Sequence, residues 1–295
     1  MKGVLMLDNF LMQHGLPKSF ANTANKWFVP VANELSDIIA KSKQPFFIGI
    51  NGCQGSGKST LADFLASYFQ ENHQINCAVL SLDDFYLSSN ERDLLGKTVH
   101  PLLKTRGVPG THDIQHIHEV LKKLSNKEPT RLPRFNKAID NPYPETDWPL
   151  ATNVDVVIFE GWCWGVTPEK ISALDTPCNA LEKKHDSENI WRRYVNEKLA
   201  SYQALYEYMD TWLMLRAPAF STVHQWRWQQ EQKLAAKNSS LEGTNVMTET
   251  EVAYFIQHFE RLTKHCLNTL PQECNYVFQL DSERNISDLR SAHAK

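Results

Sequence analysis

The chain has 295 residues, of which 42% are hydrophobic and 22% charged, with a formal net charge of −3. That near-neutral balance gives no electrostatic reason for a nucleic-acid partner, and the length admits one large domain or two. Eight Trp and fourteen Phe promise a well-filled core and argue against disorder.

The opening stretch, MKGVLMLDNFLMQHG, is apolar but broken by Asp8 and Asn9, and no small-residue cleavage site follows. It reads as an amphipathic helix rather than a secretion signal, and residues 1–43 as an N-terminal helical extension. No apolar run reaches membrane-spanning length. Six cysteines (Cys53, Cys77, Cys163, Cys178, Cys266, Cys274) form no C-x-x-C pair, which fits reduced thiols in a cytoplasmic protein.

Strands and helices then alternate. PFFIGI (Pro45–Ile50) is a short apolar run expected to be a buried strand, and Leu61, Phe64, Leu65 and Tyr68 recur at helical spacing. CAVLSL (Cys77–Leu82) and DVVIFE (Asp155–Glu160) are expected as the second and third strands. Between them lies an insertion, residues 87–150, with a helical face of Ile114, Ile117, Leu121 and Leu124 and a Pro-rich loop. One long helix is predicted from the stripe Trp191 to Met209, then a strand at Thr211–Arg216 and a polar helix within residues 218–237. Thr248-x-x-Glu251 is a capping box that opens another helix, and YVFQLD (Tyr276–Asp281) is the fifth strand. Short, non-alternating apolar strands separated by helices predict an α/β fold with a central five-stranded parallel sheet covered on both faces. Such sheets bind ligands beyond the carboxyl ends of their strands. There the sequence gathers a glycine loop, Asp83 and Asp84, Glu160, Arg216 and Asp281.

GCQGSGKST (Gly52–Thr60) matches G-x-x-x-x-G-K-[ST] between a predicted strand and a predicted helix, the context this motif requires. Gly52, Cys53, Gln54, Gly55, Ser56, Gly57, Lys58, Ser59 and Thr60 are therefore the candidate cradle for the phosphates of ATP. The glycines let successive N–H groups and the helix N-terminus face the anion. Lys58 would reach the β- and γ-phosphates, and the Ser59 hydroxyl would ligate Mg²⁺. The bland alternative is a chance Gly-rich turn. Glu160, closing a hydrophobic strand, has the pattern of a Walker B acid; alone it would be an ordinary strand-end carboxylate, but beside a P-loop it is a candidate metal residue.

Asp83 stands 25 residues after Lys58 at the tip of the next predicted strand. A kinase needs a carboxylate there to take or orient the proton of the attacking hydroxyl. Adjacent strand residues point to opposite faces, so Asp83 is favoured as the base, with a share in the metal, and Asp84 as a metal-water or structural partner. Arg227, on the polar helix, is a candidate lid arginine or else a surface residue stacked on tryptophan. Arg106, His112, Arg134 and Lys137 form a cationic set in the insertion suited to an anionic substrate, although each could be a surface charge. DLLG (Asp93–Gly96) and NKAID (Asn136–Asp140) look like GTPase motifs, but the first closes no hydrophobic strand and the second has one residue too many.

GCQGSGKSTL, LSLDDFYL, TRGVPGTHD, LPRFNK, IFEGW and WRWQQE occur in an order that resembles the D-glycerate 3-kinase family. That family lies within the P-loop group of uridine kinase, phosphoribulokinase and bacterial pantothenate kinase. The resemblance runs from about Phe46 to Glu231 and leaves the N-terminal segment outside it. It implies a P-loop kinase domain over residues 44–295 and an ATP- and Mg²⁺-dependent phosphotransferase acting on a small hydroxy acid. Asp83 falls where the group has its catalytic base, Glu160 on its Mg²⁺-linked acid and Arg227 on its lid arginine. No nucleic acid, membrane or protein partner is implied. The alternatives are a kinase for a nucleoside or pantothenate, or a nucleotide-dependent switch without turnover.

Overall fold

The computed structural model describes residues 2–42, 45–238 and 247–292. Strand β1 (Phe46–Gly52) is buried along its whole length, as its unbroken apolar run requires. It pairs in parallel with β3 (Val156–Gly161) on one side and β4 (Thr211–Arg216) on the other. Outside these lie β2 (Cys77–Ser81) beside β3, and β5 (Tyr276–Leu280) beside β4, both parallel to their neighbours. The expected five strands are present, but the sheet has a sixth. Strand β6 (Ile286–Ser291) turns back antiparallel on β5, giving the order β2-β3-β1-β4-β5-β6. Its sequence, ISDLRS, is buried only at Ile286, so this edge strand carries no apolar run to betray it.

The connection after β1 runs toward β2 and the one after β3 runs to β4 on the far side. The carboxyl ends of β1 and β3 therefore flank the point where the topology switches direction, where ligands settle in open α/β sheets. Two of the strand-end polar groups serve the fold instead. Arg216 bonds the Leu267 carbonyl and the Gln279 side chain. Asp281 accepts the backbone N–H groups of Glu283 and Asn285 and so builds the β5–β6 turn.

Helix α1 (Lys2–His14) and helix α2 (Val29–Ile39) precede the sheet; the expected boundary at residues 43 and 44 lies outside the described residues. Both belong to the main core. Phe10 and Phe28 meet Phe64 of helix α3 (Lys58–His73) at ring-centroid distances of 5.6 and 5.5 Å, and Phe28 meets Phe278 of β5 edge-on at 5.4 Å. Truncating either ring would cost about 3–5 kcal/mol.

The insertion between β2 and β3 carries helix α4 (Ser89–Thr98), opened by an unforeseen capping box of Ser88 and Glu91, and the predicted helix α5 (Ile114–Ser125). The long helix expected from Trp191 to Met209 is broken: helix α6 spans Ile190–Ala200, and a single turn at Gln203–Tyr206 follows. Tyr202 at the break is fully buried, with its hydroxyl against Nδ1 of His112 at 2.7 Å. Helix α7 (Phe220–Asn238) occupies the expected lid region, and helix α8 (Glu249–Thr269) begins at its Thr248–Glu251 capping box. Among the described residues all six cysteines are free thiols, and no helix is long and apolar enough to cross a membrane.

Candidate active site

The loop after β1 enters helix α3 through Gly57, whose φ of +93° caps the helix without any side-chain bond. A residue with a Cβ would be strained there. Because no side chain caps this 16-residue helix, its first N–H groups are left for an external acceptor. The loop also buries the Ser56 hydroxyl and the Gln54 amide oxygen without hydrogen-bond partners. The uncommitted N–H groups at the helix N-terminus and the Ser56 hydroxyl, beside the Lys58 ammonium, are donors that fit a polyphosphate. Cys53, also in this loop, is pushed up to about 12 by burial and stays a neutral thiol.

Glu160 at the end of β3 is the hub between this loop and β2. Its Oε1 accepts from the Ser59 hydroxyl at 2.7 Å and from the Ser81 hydroxyl at 2.9 Å. Its Oε2 is buried with no hydrogen-bond partner, and the Lys58 ammonium stands 3.6 Å away, beyond hydrogen-bond reach. Burial would lower the Lys58 pKa, but the Glu160 and Asp83 charges outweigh it and hold the ammonium above its usual range. An orphaned carboxylate oxygen beside a serine hydroxyl is a donor set that suits Mg²⁺. Among the described residues no three acidic, His or Cys side chains cluster as a metal cage. Mg²⁺ is commonly held by one or two protein oxygens while phosphates and water fill the remaining positions.

Asp83 and Asp84 follow β2 in one helical turn and diverge. Asp83 accepts from the Tyr86 hydroxyl at 2.7 Å and from Lys137 at 2.6 Å. Burial alone would raise its pKa, but Lys137, Lys58 and these two hydrogen bonds hold it well below the usual carboxylate range. Asp84 instead accepts the Phe135 backbone N–H at 3.0 Å and lies 3.5 Å from Arg134, while burial pushes its pKa up. Asp84 thus ties the insertion to the end of β2, and Asp83 is the acid whose pKa its neighbours lower.

A cavity of about 270 Å³ is lined by Ser59, Asp83, Asp84, Glu160, Arg134 and Lys137, together with Ser81 and Asp63. The remaining candidates lie elsewhere. Arg106 is ion-paired with Asp140, which also holds the buried Arg92. His112 is buried, stacks on Tyr86 at 4.8 Å, and has its pKa lowered to about 3 by burial. It is therefore neutral, with Nδ1 against the Tyr202 hydroxyl and Nε2 buried without a hydrogen-bond partner. Arg227 hydrogen-bonds Glu231 on its own helix and lies 5.7 Å from the Phe255 ring.

Sequence reasoning passed over Ser81, Asp63 and Tyr86. The first two carry a positional signal: Ser81 is two residues before Asp83 along the strand, and Asp63 is one helical turn beyond Ser59. It also passed over Arg284, which donates to the Gly55 carbonyl at 2.8 Å from the β5–β6 turn. No local pattern marks a residue 229 positions away.

A family model described as the KAP family P-loop domain matches residues 28–253. The uncharacterized kinase mug58 of Schizosaccharomyces pombe is 31% identical, over 79% of this chain and 90% of its own length. The chloroplastic D-glycerate 3-kinase of Arabidopsis thaliana is 30% identical over 78% of this chain, which spans about half (49%) of that longer protein. Among solved structures, D-glycerate 3-kinase from Cryptococcus neoformans superposes with a TM-score of 0.72 at 23% identity, covering 88% of this chain and 99% of that one, a likeness of fold. The chain belongs to the KAP family of P-loop domains and, by its match along nine-tenths of mug58, to the P-loop kinases.

Proposed function

We propose that the chain transfers the γ-phosphoryl group of ATP to the 3-hydroxyl of D-glycerate, giving ADP and 3-phosphoglycerate in a cytoplasmic setting. The observation that carries this reading is the single cavity in which an ionised aspartate, the P-loop serine and two cations meet. The P-loop backbone and Lys58 hold the triphosphate. Asp83 orients the acceptor hydroxyl and takes its proton as the new O–P bond forms and the bond to the ADP oxygen breaks. Mg²⁺, held by Ser59 and Glu160 with a share from Asp83, would supply charge neutralisation on the phosphates. Little covalent work falls to the protein, and positioning and electrostatics carry the rate.

Arg134 and Lys137 suit the substrate carboxylate. Arg134 offers a planar fork that matches a carboxylate in two hydrogen bonds. Lys137, 56% exposed in its side chain, is accessible to an incoming anion and already stands on Asp83. Arg227 would neutralise phosphate charge if its helix closes and it exchanges Glu231 for the nucleotide. Arg106 has a weaker claim because Asp140 holds it. The test is to incubate the protein with Mg-ATP and D-glycerate and couple any 3-phosphoglycerate to an enzyme that consumes it, with uridine and pantothenate in parallel. Turnover on glycerate alone supports the reading. Vigorous turnover on uridine or pantothenate with none on glycerate overturns it.

A further inference from the structure

The P-loop opens on its other side into a larger cavity, of about 630 Å³, within the range of small-molecule sites. One end is lined by Gly55–Thr60, the candidate phosphate cradle. The far walls come from two places outside the kinase motifs. The β5–β6 turn contributes Glu283, Arg284 and Asn285, with Ile286 beyond. The N-terminal segment contributes Leu16, Pro17, Ser19, Phe20, Thr23 and Phe28.

We propose that this N-terminal segment, residues 16–28, forms one wall of the pocket for the adenosine half of ATP, so that the segment is part of the active site. The inference rests on the nucleotide reading above. A cavity continuous with a phosphate cradle is where the rest of a nucleotide must go. Its chemistry suits a nucleoside: Leu16, Phe20, Leu280 and Ile286 give apolar surface for a base, and Ser19, Thr23 and Asn285 are polar groups at its margin.

Both walls are fixed to the phosphate end. Arg284 donates to the Gly55 carbonyl and to Gln229 of α7, and stands over the buried Trp226 ring at 5.2 Å, while Trp226 donates to the Ser282 carbonyl at 2.7 Å. On the other side, Phe20 packs toward Phe10 and Phe28, which rest on Phe64 of the helix that starts at the P-loop. A base held between these walls has its phosphates presented to Lys58 without further ordering of the chain, the pre-organisation that favours affinity.

The test uses the full chain. Mg-8-azido-ATP is photolysed on the wild-type protein, and tryptic peptides are mapped by mass spectrometry. The label is expected within residues 16–28, chiefly on the peptide 19–26. In parallel, Ser19→Trp places a large ring into the cavity from an exposed position, so folding is retained. It should weaken Mg-ATP binding by about tenfold or more while leaving the affinity for Mg-tripolyphosphate, which has no base, within about twofold. Label confined to other peptides, or ATP and tripolyphosphate affinities that change equally, would overturn the wall. Wild-type protein that binds tripolyphosphate as well as ATP overturns the pocket and spares the cradle. Protein that binds neither overturns the nucleotide reading and the wall with it.

Discussion

The two ends of the candidate active site are built from different materials. The phosphate end is mostly main chain: a helix N-terminus without a side-chain cap, glycines that allow the turn, and one partly buried lysine. The acceptor end is all side chains, with Arg134 36% and Lys137 56% exposed on a loop of the insertion. Main-chain donors are fixed by the fold, and substitution can do little to retune them. Exposed cations on a loop can be exchanged without disturbing the sheet, which lets one scaffold serve different acceptors.

Asp83 sits at the join of the two ends, and altering it should have the largest effect. Asp83→Asn keeps the shape but cannot take a proton, and turnover should fall by on the order of 10²–10⁴ with ATP affinity little changed. Asp84→Asn should cost clearly less in kcat, because that carboxylate is spent on the Phe135 backbone and Arg134. Steady-state kinetics of the pair decide it, and a reversed order would transfer the role of base to Asp84.

Next in size is Lys58→Ala, which strikes the phosphate end. It should lower turnover by about 10²–10³ and weaken ATP binding, with the circular dichroism spectrum unchanged. Normal activity with normal ATP affinity would remove the phosphate cradle from the loop.

These two ends were not equally legible. The phosphate end is written in nine consecutive residues whose neighbours are a strand and a helix, so motif and context could be checked against each other. Glu160 was readable because a strand-end acid belongs beside that loop. At the acceptor end, Asp83 is bonded to a lysine 54 positions along the chain and Asp84 to a backbone group 51 positions along. Such pairings depend on how the insertion folds back, and four cations looked equally eligible there. Two of them, Arg106 and His112, turned out to be held by Asp140 and by Tyr202. The same limit hid β6 and the pocket wall of residues 16–28, since neither carries a pattern of its own and both are defined by what they pack against.

Arg134→Lys would sharpen the contrast between fixed and exchangeable parts. The charge survives but the planar fork is lost, so KM for the hydroxy acid should rise on the order of tenfold while KM for ATP stays put. Equal effects on both substrates would place Arg134 with the nucleotide instead.

The smallest effect links the two ends through a proton. Asp83 must be ionised to accept one, and its depressed pKa keeps it ionised through the range where carboxylates usually titrate. The acid limb of kcat/KM due to Asp83 therefore lies below the ordinary carboxylate range. By the same linkage, Asp83 contributes stability that is present above the unfolded carboxylate pKa and lost as pH falls through its lower folded value. The groups that hold it down are Lys137, Lys58 and the Tyr86 hydroxyl, working against burial. Lys137→Gln removes one charge and its hydrogen bond and leaves burial in place, so the Asp83 pKa must rise. Because Lys137 is more than half exposed, solvent screens its charge and the shift is a small one. The variant should keep its activity near neutral pH, apart from any loss of substrate affinity, and lose it earlier on acidification. The pH dependence of kcat/KM, compared between wild type and variant, reads this in the free enzyme, and that of kcat at saturating substrates reads it in the reacting complex. An acid limb of kcat that does not move would show that Lys137 has left Asp83 before the reacting complex forms, which would place it with the substrate carboxylate throughout catalysis.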